Sequence, residues 1–154
     1  MAHLLVLYRR IASAFSSLQS VMLLAVRLYW GFQFAQTGWG KLHNLAKITG
    51  FFASLNIPFP AFSAAFVSTL EFVGGILLML GLFTRPVALL LTCNMLVAYW
   101  TADREALSAI FSDPGKFYAA DSYTFLFASL MVLIFGAGFV AVDTPVAMRL
   151  KAVQ

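Results

Sequence analysis

Residues 61–83 read AFSAAFVSTL-EFVGGILLML-GLF, an apolar run whose only charge is Glu71 near its middle. A spanning helix needs about 20 predominantly apolar residues, and a charge at bilayer depth costs roughly 3 kcal/mol on insertion scales. Such a carboxylate needs a partner or a task. Upstream, residues 18–38 form a second run of this kind, interrupted only by Arg27. If the two runs are consecutive antiparallel helices, charges of opposite sign stand at the same depth, and an Arg27–Glu71 ion pair is expected.

Composition supports a membrane class. The 154 residues are 62% hydrophobic and 10% charged, against about 25% charged in soluble domains, and the mean hydropathy is +0.89. Two further runs complete an expected all-α integral membrane protein, a four-helix transmembrane bundle with short interfacial helices. Its spans are about 18–38, 61–83, 86–102 and 122–142, all within one domain covering 1–154. Helices are required because a lone strand cannot satisfy its backbone in lipid. The N-terminal Leu4–Leu7 stretch is too short for a signal peptide and is followed by Arg9 and Arg10; residues 4–16 fit a short interfacial helix.

The connections differ in length. Residues 84–86 force spans two and three into an antiparallel hairpin. Lys47–Leu55 reads as an amphipathic helix stopped by Pro58-Phe-Pro60, and a second short helix is expected around Glu105–Phe111 before Asp113-Pro-Gly. Arg9, Arg10, Arg85, Arg149 and Lys151 lie on one side. Lys41, Lys47, Arg104 and Lys116 lie on the other, and the first set stands nearer the span ends. The positive-inside rule then puts both termini in the cytoplasm of a cell membrane, with the bacterial inner membrane the natural setting. Trp39, Tyr99, Trp100, Tyr118 and Tyr123 would form an aromatic belt at the opposite interface.

Small residues point to close helix contacts. Ala64, Ser68, Glu71 and Gly75 share a helical face, with Gly74 widening the groove; Arg27, Gly31, Phe34 and Gly38 share another. Asn94 sits mid-span in the third run, and Ser122, Ser129 and Gly136 recur at heptad spacing in the fourth. The intramembrane polar site is therefore read as Arg27, Glu71 and Asn94. Gln33, Gln36, Trp39 and His43 are the candidate mouth of a cavity between spans one and two, with Phe32, Phe34 and Phe72 as aromatic walls. A helix lock without function is the competing reading of the ion pair.

Several chemistries are excluded by residue type. The single cysteine, Cys93, rules out an internal disulfide, a CxxC motif or a thiolate metal cluster, and it reads as a small buried apolar residue. His3 and His43 fall on opposite sides, which disfavours a haem pair, and no metal site is expected. The net charge of +4 is scattered without a basic block, so nucleic acid is not a partner. The lipid bilayer is, with a redox partner subunit or a second copy of the chain as candidate protein partners.

These residues resemble the DoxX family of small four-helix membrane proteins. The resemblance is carried by Arg27, Gly38-Trp-Gly-Lys-Leu42, Phe51-Phe52-Ala-Ser-Leu-Asn-Ile-Pro58, Glu71-Phe-Val-Gly-Gly75 and Gly81-Leu-Phe-Thr-Arg85. It implies an oxidoreductase-associated role, since the family takes its name from a subunit of a thiosulfate:quinone oxidoreductase. Quinone is then the candidate cofactor, bound with or in place of lipid near the Arg–Glu pair by an accessory subunit. More distantly similar four-helix proteins include a thiol–quinone reductase, whose paired cysteines this chain lacks. Others are membrane assembly chaperones, so the alternative is a non-catalytic assembly factor, chaperone or transport-like protein using the same cavity. No self-contained catalytic motif is present.

Overall fold

The computed structural model describes residues 2–138 and 140–143, and the regular structure in that range is all helical, without a strand. The elements are α1 (Ala2–His43), α2 (Leu45–Ser54), α3 (Pro60–Leu80), α4 (Thr84–Thr101), α5 (Arg104–Ser108), α6 (Pro114–Ala119) and α7 (Asp121–Phe135). The four long helices touch in the cyclic order α1, α3, α4, α7 and back to α1, while α2 packs on α3. Their shared core is Phe34, Leu78, Leu91 and Val132, all fully buried, with Met95 and Ala128 beside them. Among the described residues, α3 is the one helix that is long and apolar enough to cross a membrane by composition alone.

Three boundaries differ from expectation. The separate interfacial helix over 4–16 merges with the first span into the single 42-residue α1, because no glycine or proline interrupts the chain before Gly31. Thr84-Arg85-Pro86 is the first turn of α4, so the α3–α4 reversal is made by Gly81-Leu-Phe83 alone. The fourth run stops being helical at Phe135, seven residues before the expected end at Val142. Gly136 (φ 82°) and Gly138 (φ 74°) take left-handed backbone there, where a residue with a Cβ is strained. Arg149 and Lys151 of the orientation count lie outside the described residues.

Register between α1 and α3 is set by backbone contact. A Cβ on Gly75 would stand 2.4 Å from Gly31 O and 2.5 Å from Ala35 N, and one on Gly38 would stand 2.7 Å from Ser68 O. Gly31 therefore faces Gly75 and Met79, while Gly38 faces Ser68 and Phe72. Only hydrogen at those positions lets the helices approach this closely. Gly74 turns to α4 instead, where its Cβ would meet the Leu91 side chain at 3.3 Å.

Candidate functional site

The antiparallel register decides what Glu71 can reach. Steps toward the N-terminus of α1 match steps toward the C-terminus of α3, so Arg27 comes level with Met79. Glu71 lies eight residues away from that level, about 12 Å along the helix axis at 1.5 Å per residue. The expected Arg27–Glu71 pair is therefore not made. The same Gly31–Gly75 contact that favours it on spacing alone holds the two charges on opposite sides of the helix crossing.

Glu71 instead meets the far end of α1. Lys41 Nζ donates to Glu71 Oε1 at 2.7 Å and to Oε2 at 2.6 Å. Asn94 Nδ2, from the middle of α4, donates to Oε1 at 3.0 Å, and Thr37 Oγ1 stands 3.5 Å from Oε2. Glu71 is 1% exposed, whereas the Lys41 side chain is 32% exposed. A buried carboxylate with an ammonium and an amide donor has its desolvation largely compensated. Spacing alone does not single out Lys41, because a lysine at a helix end normally snorkels to the interface. The signal lies in the glycine register, which puts the end of α1 within a long side chain's reach of Glu71.

Arg27 has a different environment. It is 1% exposed and donates to four backbone carbonyls: Nε to Leu78 O at 3.0 Å, Nη2 to Met79 O at 3.2 Å, and Nη1 to Val140 O at 3.0 Å and to Ala137 O. Two of these acceptors belong to the C-terminal turn of α3, where carbonyls lack intrahelical partners and a cation is favoured. The other two are freed by the early unwinding after Phe135. Gly81 (φ 68°) completes the α3 terminus, its N–H bonding Leu78 O at 3.1 Å while Leu82 N–H bonds Leu77 O at 3.0 Å. Asp143 then closes the start of α4, accepting from Phe83 N at 2.9 Å and Thr84 N at 2.8 Å. Burial opposes ionisation of Asp143, but the Thr84 and Phe83 hydrogen bonds and the Arg27 charge outweigh it and hold the carboxyl below its ordinary range. The Thr84 hydroxyl itself is buried and makes no hydrogen bond of standard geometry.

The expected cavity mouth is placed elsewhere. Gln33, Gln36, Trp39 and His43 do not line the cavity beside Glu71. Gln33 Nε2 approaches Tyr29 OH at 3.5 Å, the Trp39 and His43 rings meet at 4.2 Å with a tilt of 58°, and His43 Nδ1 lies 2.9 Å from Trp39 O. Phe72 packs on Trp39 at 5.2 Å, and Phe32 is exposed. Of the three expected aromatic wall residues, only Phe34 lines the cavity.

That cavity, of about 570 Å³, lies between the N-terminal half of α3 and the C-terminal half of α4, with α2 across it and the start of α7 behind. Lys41, Glu71 and Asn94 stand in its wall with Thr37. Ser63, Thr101, Asp121 and Ser122 add polar groups, and the rest of the lining is mostly apolar, with Phe51 and Phe52 from α2, Phe62 and Phe66 from α3, and Val97 from α4. Phe62, Phe66 and Val97 are also exposed on the outside of the molecule, so the cavity opens through the flank between α3 and α4. Cys93 lines it and is exposed rather than buried, which corrects its reading as a core residue. An apolar chamber with a few convergent polar groups is the usual form of a small-molecule site. Among the described residues no group of three or more His, Cys, Asp or Glu could hold a metal.

Such a fold and site define a small, all-helical protein of the membrane-associated DoxX type. The DoxX family model matches residues 22–104, and the chain belongs to that family. It is 29% identical over 120 residues to "Putative oxidoreductase CatD" of Bacillus subtilis (strain 168), covering 78% of this chain and 83% of that one. No solved structure matches.

Proposed function

We propose that this chain is a four-span inner-membrane protein, crossing with α1, α3, α4 and α7, that serves a membrane oxidoreductase system as an accessory subunit. Both termini are cytoplasmic in this reading, and an amphiphile, quinone or lipid, occupies the cavity between α3 and α4. The observation that carries it is the cavity itself: mostly apolar walls open to the flank, ending at the buried Glu71 carboxylate with Lys41 and Asn94 on it. The head of the site is thus Lys41 with Glu71 and Asn94, and Arg27 belongs to the opposite end of the molecule. Family membership and the name of the Bacillus relative lend support to the oxidoreductase setting. Any redox turnover would take place with a partner subunit or on the bound quinone.

Mass spectrometry of gently purified protein tests the proposal. Quinone or lipid should be retained at near-equal stoichiometry and lost from a Lys41→Met, Glu71→Leu double variant. Retention unchanged in that variant would remove the site. An empty cavity with one unrelated membrane protein co-purifying would favour the assembly-factor alternative. Thiol labelling from outside intact cells at cysteines placed at residues 2 and 154 checks the orientation, which ready reaction at both would reverse.

A further inference from the structure

The chemistry of the cavity head distinguishes quinone from charged lipid as its occupant, a distinction that rests on the proposed reading of that cavity as a ligand site. The charged residues lining it are Lys41, Glu71 and Asp121, one positive and two negative. Lys41 is already committed, its ammonium bridging both oxygens of a carboxylate that is 1% exposed. A phosphate or carboxylate head could claim Lys41 only by leaving Glu71 buried without its cation, and it would also face Asp121. Both effects oppose an anion.

The neutral hydrogen-bonding capacity, by contrast, is unspent. A lysine has three N–H donors and an asparagine amide has two, with a carbonyl acceptor besides. Glu71 takes two from Lys41 and one from Asn94. The carboxylate can only accept, so it fixes the Asn94 amide with Nδ2 toward Glu71. Asn94 Oδ1 accepts no hydrogen bond from the described residues and is not sealed from the cavity. One ammonium N–H, one amide N–H and one amide carbonyl thus remain beside an apolar chamber.

We infer that the cavity selects an uncharged amphiphile whose head carries a carbonyl or hydroxyl, and that the Lys41–Glu71 pair excludes anionic lipid by keeping the lysine neutralised. The ring carbonyls of a quinone, or the hydroxyls of its reduced form, match the donors and the acceptor on offer. The tail lies along Phe66 and Val97 and leaves through the flank. Selection comes from a cation already satisfied within the protein, rather than from the absence of one.

The chain carries its own reporter, because Cys93 is its single cysteine and lines the cavity one residue from Asn94. The chain would be reconstituted in phosphatidylcholine nanodiscs and labelled with a membrane-permeant maleimide. The probes are a fully substituted benzoquinone with a decyl tail, which does not add thiols readily, and dioctanoyl phosphatidylglycerol at the same mole fraction. The quinone should slow Cys93 labelling about tenfold, equivalent to a ligand in the cavity for about 90% of the time, and phosphatidylglycerol less than about twofold. Glu71→Gln, which frees Lys41, should raise protection by phosphatidylglycerol about tenfold. Should that variant fail to fold, Asp121→Asn at the exposed rim should raise it by about threefold. Equal protection by both probes would overturn the charge selection while leaving an amphiphile site. No protection by either would overturn the cavity reading as well. A folded Glu71→Gln or Asp121→Asn protein with unchanged exclusion of phosphatidylglycerol would refute the ion pair and rim as its cause.

Discussion

Double-mutant cycles on Arg27, Lys41 and Glu71 separate the glycine-set register from the simpler idea that opposite charges at mid-span pair. Lys41→Met leaves the Glu71 carboxylate, 1% exposed, with only neutral donors, and should cost about 3–5 kcal/mol. Glu71→Leu should cost only about 1–2 kcal/mol, because the Lys41 side chain, 32% exposed, can turn its ammonium to water and the principal loss is the Asn94 hydrogen bond. The double variant removes both charges and strands only the Asn94 amide, so it should also lie about 1–2 kcal/mol below the unaltered protein. The cycle then returns a coupling of about 3–5 kcal/mol, the whole cost of stranding the Glu71 carboxylate and at or above the upper end for residues in contact. Arg27 and Glu71 share no partner and stand about 12 Å apart along the axis, so Arg27→Met and Glu71→Leu should add to within about 0.5 kcal/mol. Equilibrium unfolding in mixed micelles, titrated with denaturing detergent at constant pH, measures all these variants. Additivity at Lys41/Glu71, or a coupling at Arg27/Glu71 as large as the first, would refute the helix register and with it the assignment of the cavity head.

Other consequences are open to direct measurement. Gly75→Ala places a methyl 2.4 Å from the Gly31 carbonyl oxygen, backbone that cannot move aside alone, so it should destabilise by about 1–3 kcal/mol or more and be visible as a lowered unfolding temperature. Asp143→Ala removes the acceptor for Phe83 N and Thr84 N and should cost about 1–2 kcal/mol at neutral pH. Because the folded carboxyl titrates below its ordinary value, its contribution is complete above the unfolded pKa of about 3.9 and is lost as pH falls through the lower folded value; unfolding measured across that acid range should be flatter in the variant. Lys116 holds the Glu105 carboxyl below its usual range through a hydrogen bond, but the pair is exposed. Glu105→Gln should leave the unfolding temperature unchanged, and a measurable drop would show that α5 and α6 are held by more than packing.

Much of this architecture can be read from residue type and spacing. The apolar runs, the amphipathic segment before Pro58-Phe-Pro60 and the glycines that bring α1 against α3 are local signals, and α2, α3 and α4 begin and end within a few residues of where those signals put them. Asn94 is legible as polar and central, and it does reach Glu71. The partner of Glu71 is harder to read, because pairing depends on register, and placing two charges midway along their runs ignores a shift of eight residues. Lys41 sits at the end of a helix where a lysine needs no explanation, so nothing local marks it as reaching inward. The early end of α7 is hidden for another reason. Gly136 and Gly138 occur in an uninterrupted apolar run, and the carbonyls freed where the backbone leaves the helix are taken up by Arg27, more than a hundred residues earlier.

The Arg27 cage has a mechanical consequence. It ties the last turn of α3 to Ala137 and Val140, and Asp143 fastens the chain just beyond them to the first turn of α4, so both arms of the α3–α4 hairpin are fastened at their joined end. Rotation about that end moves the opposite tips farthest. A small angular change near Gly81 becomes several times that displacement between Phe62 and Val97, as in tongs held at the pivot. Exchange of whatever fills the space between the arms would be timed by the spreading of those tips, and weakening the pivot should alter how fast a ligand comes and goes more than how tightly it is held.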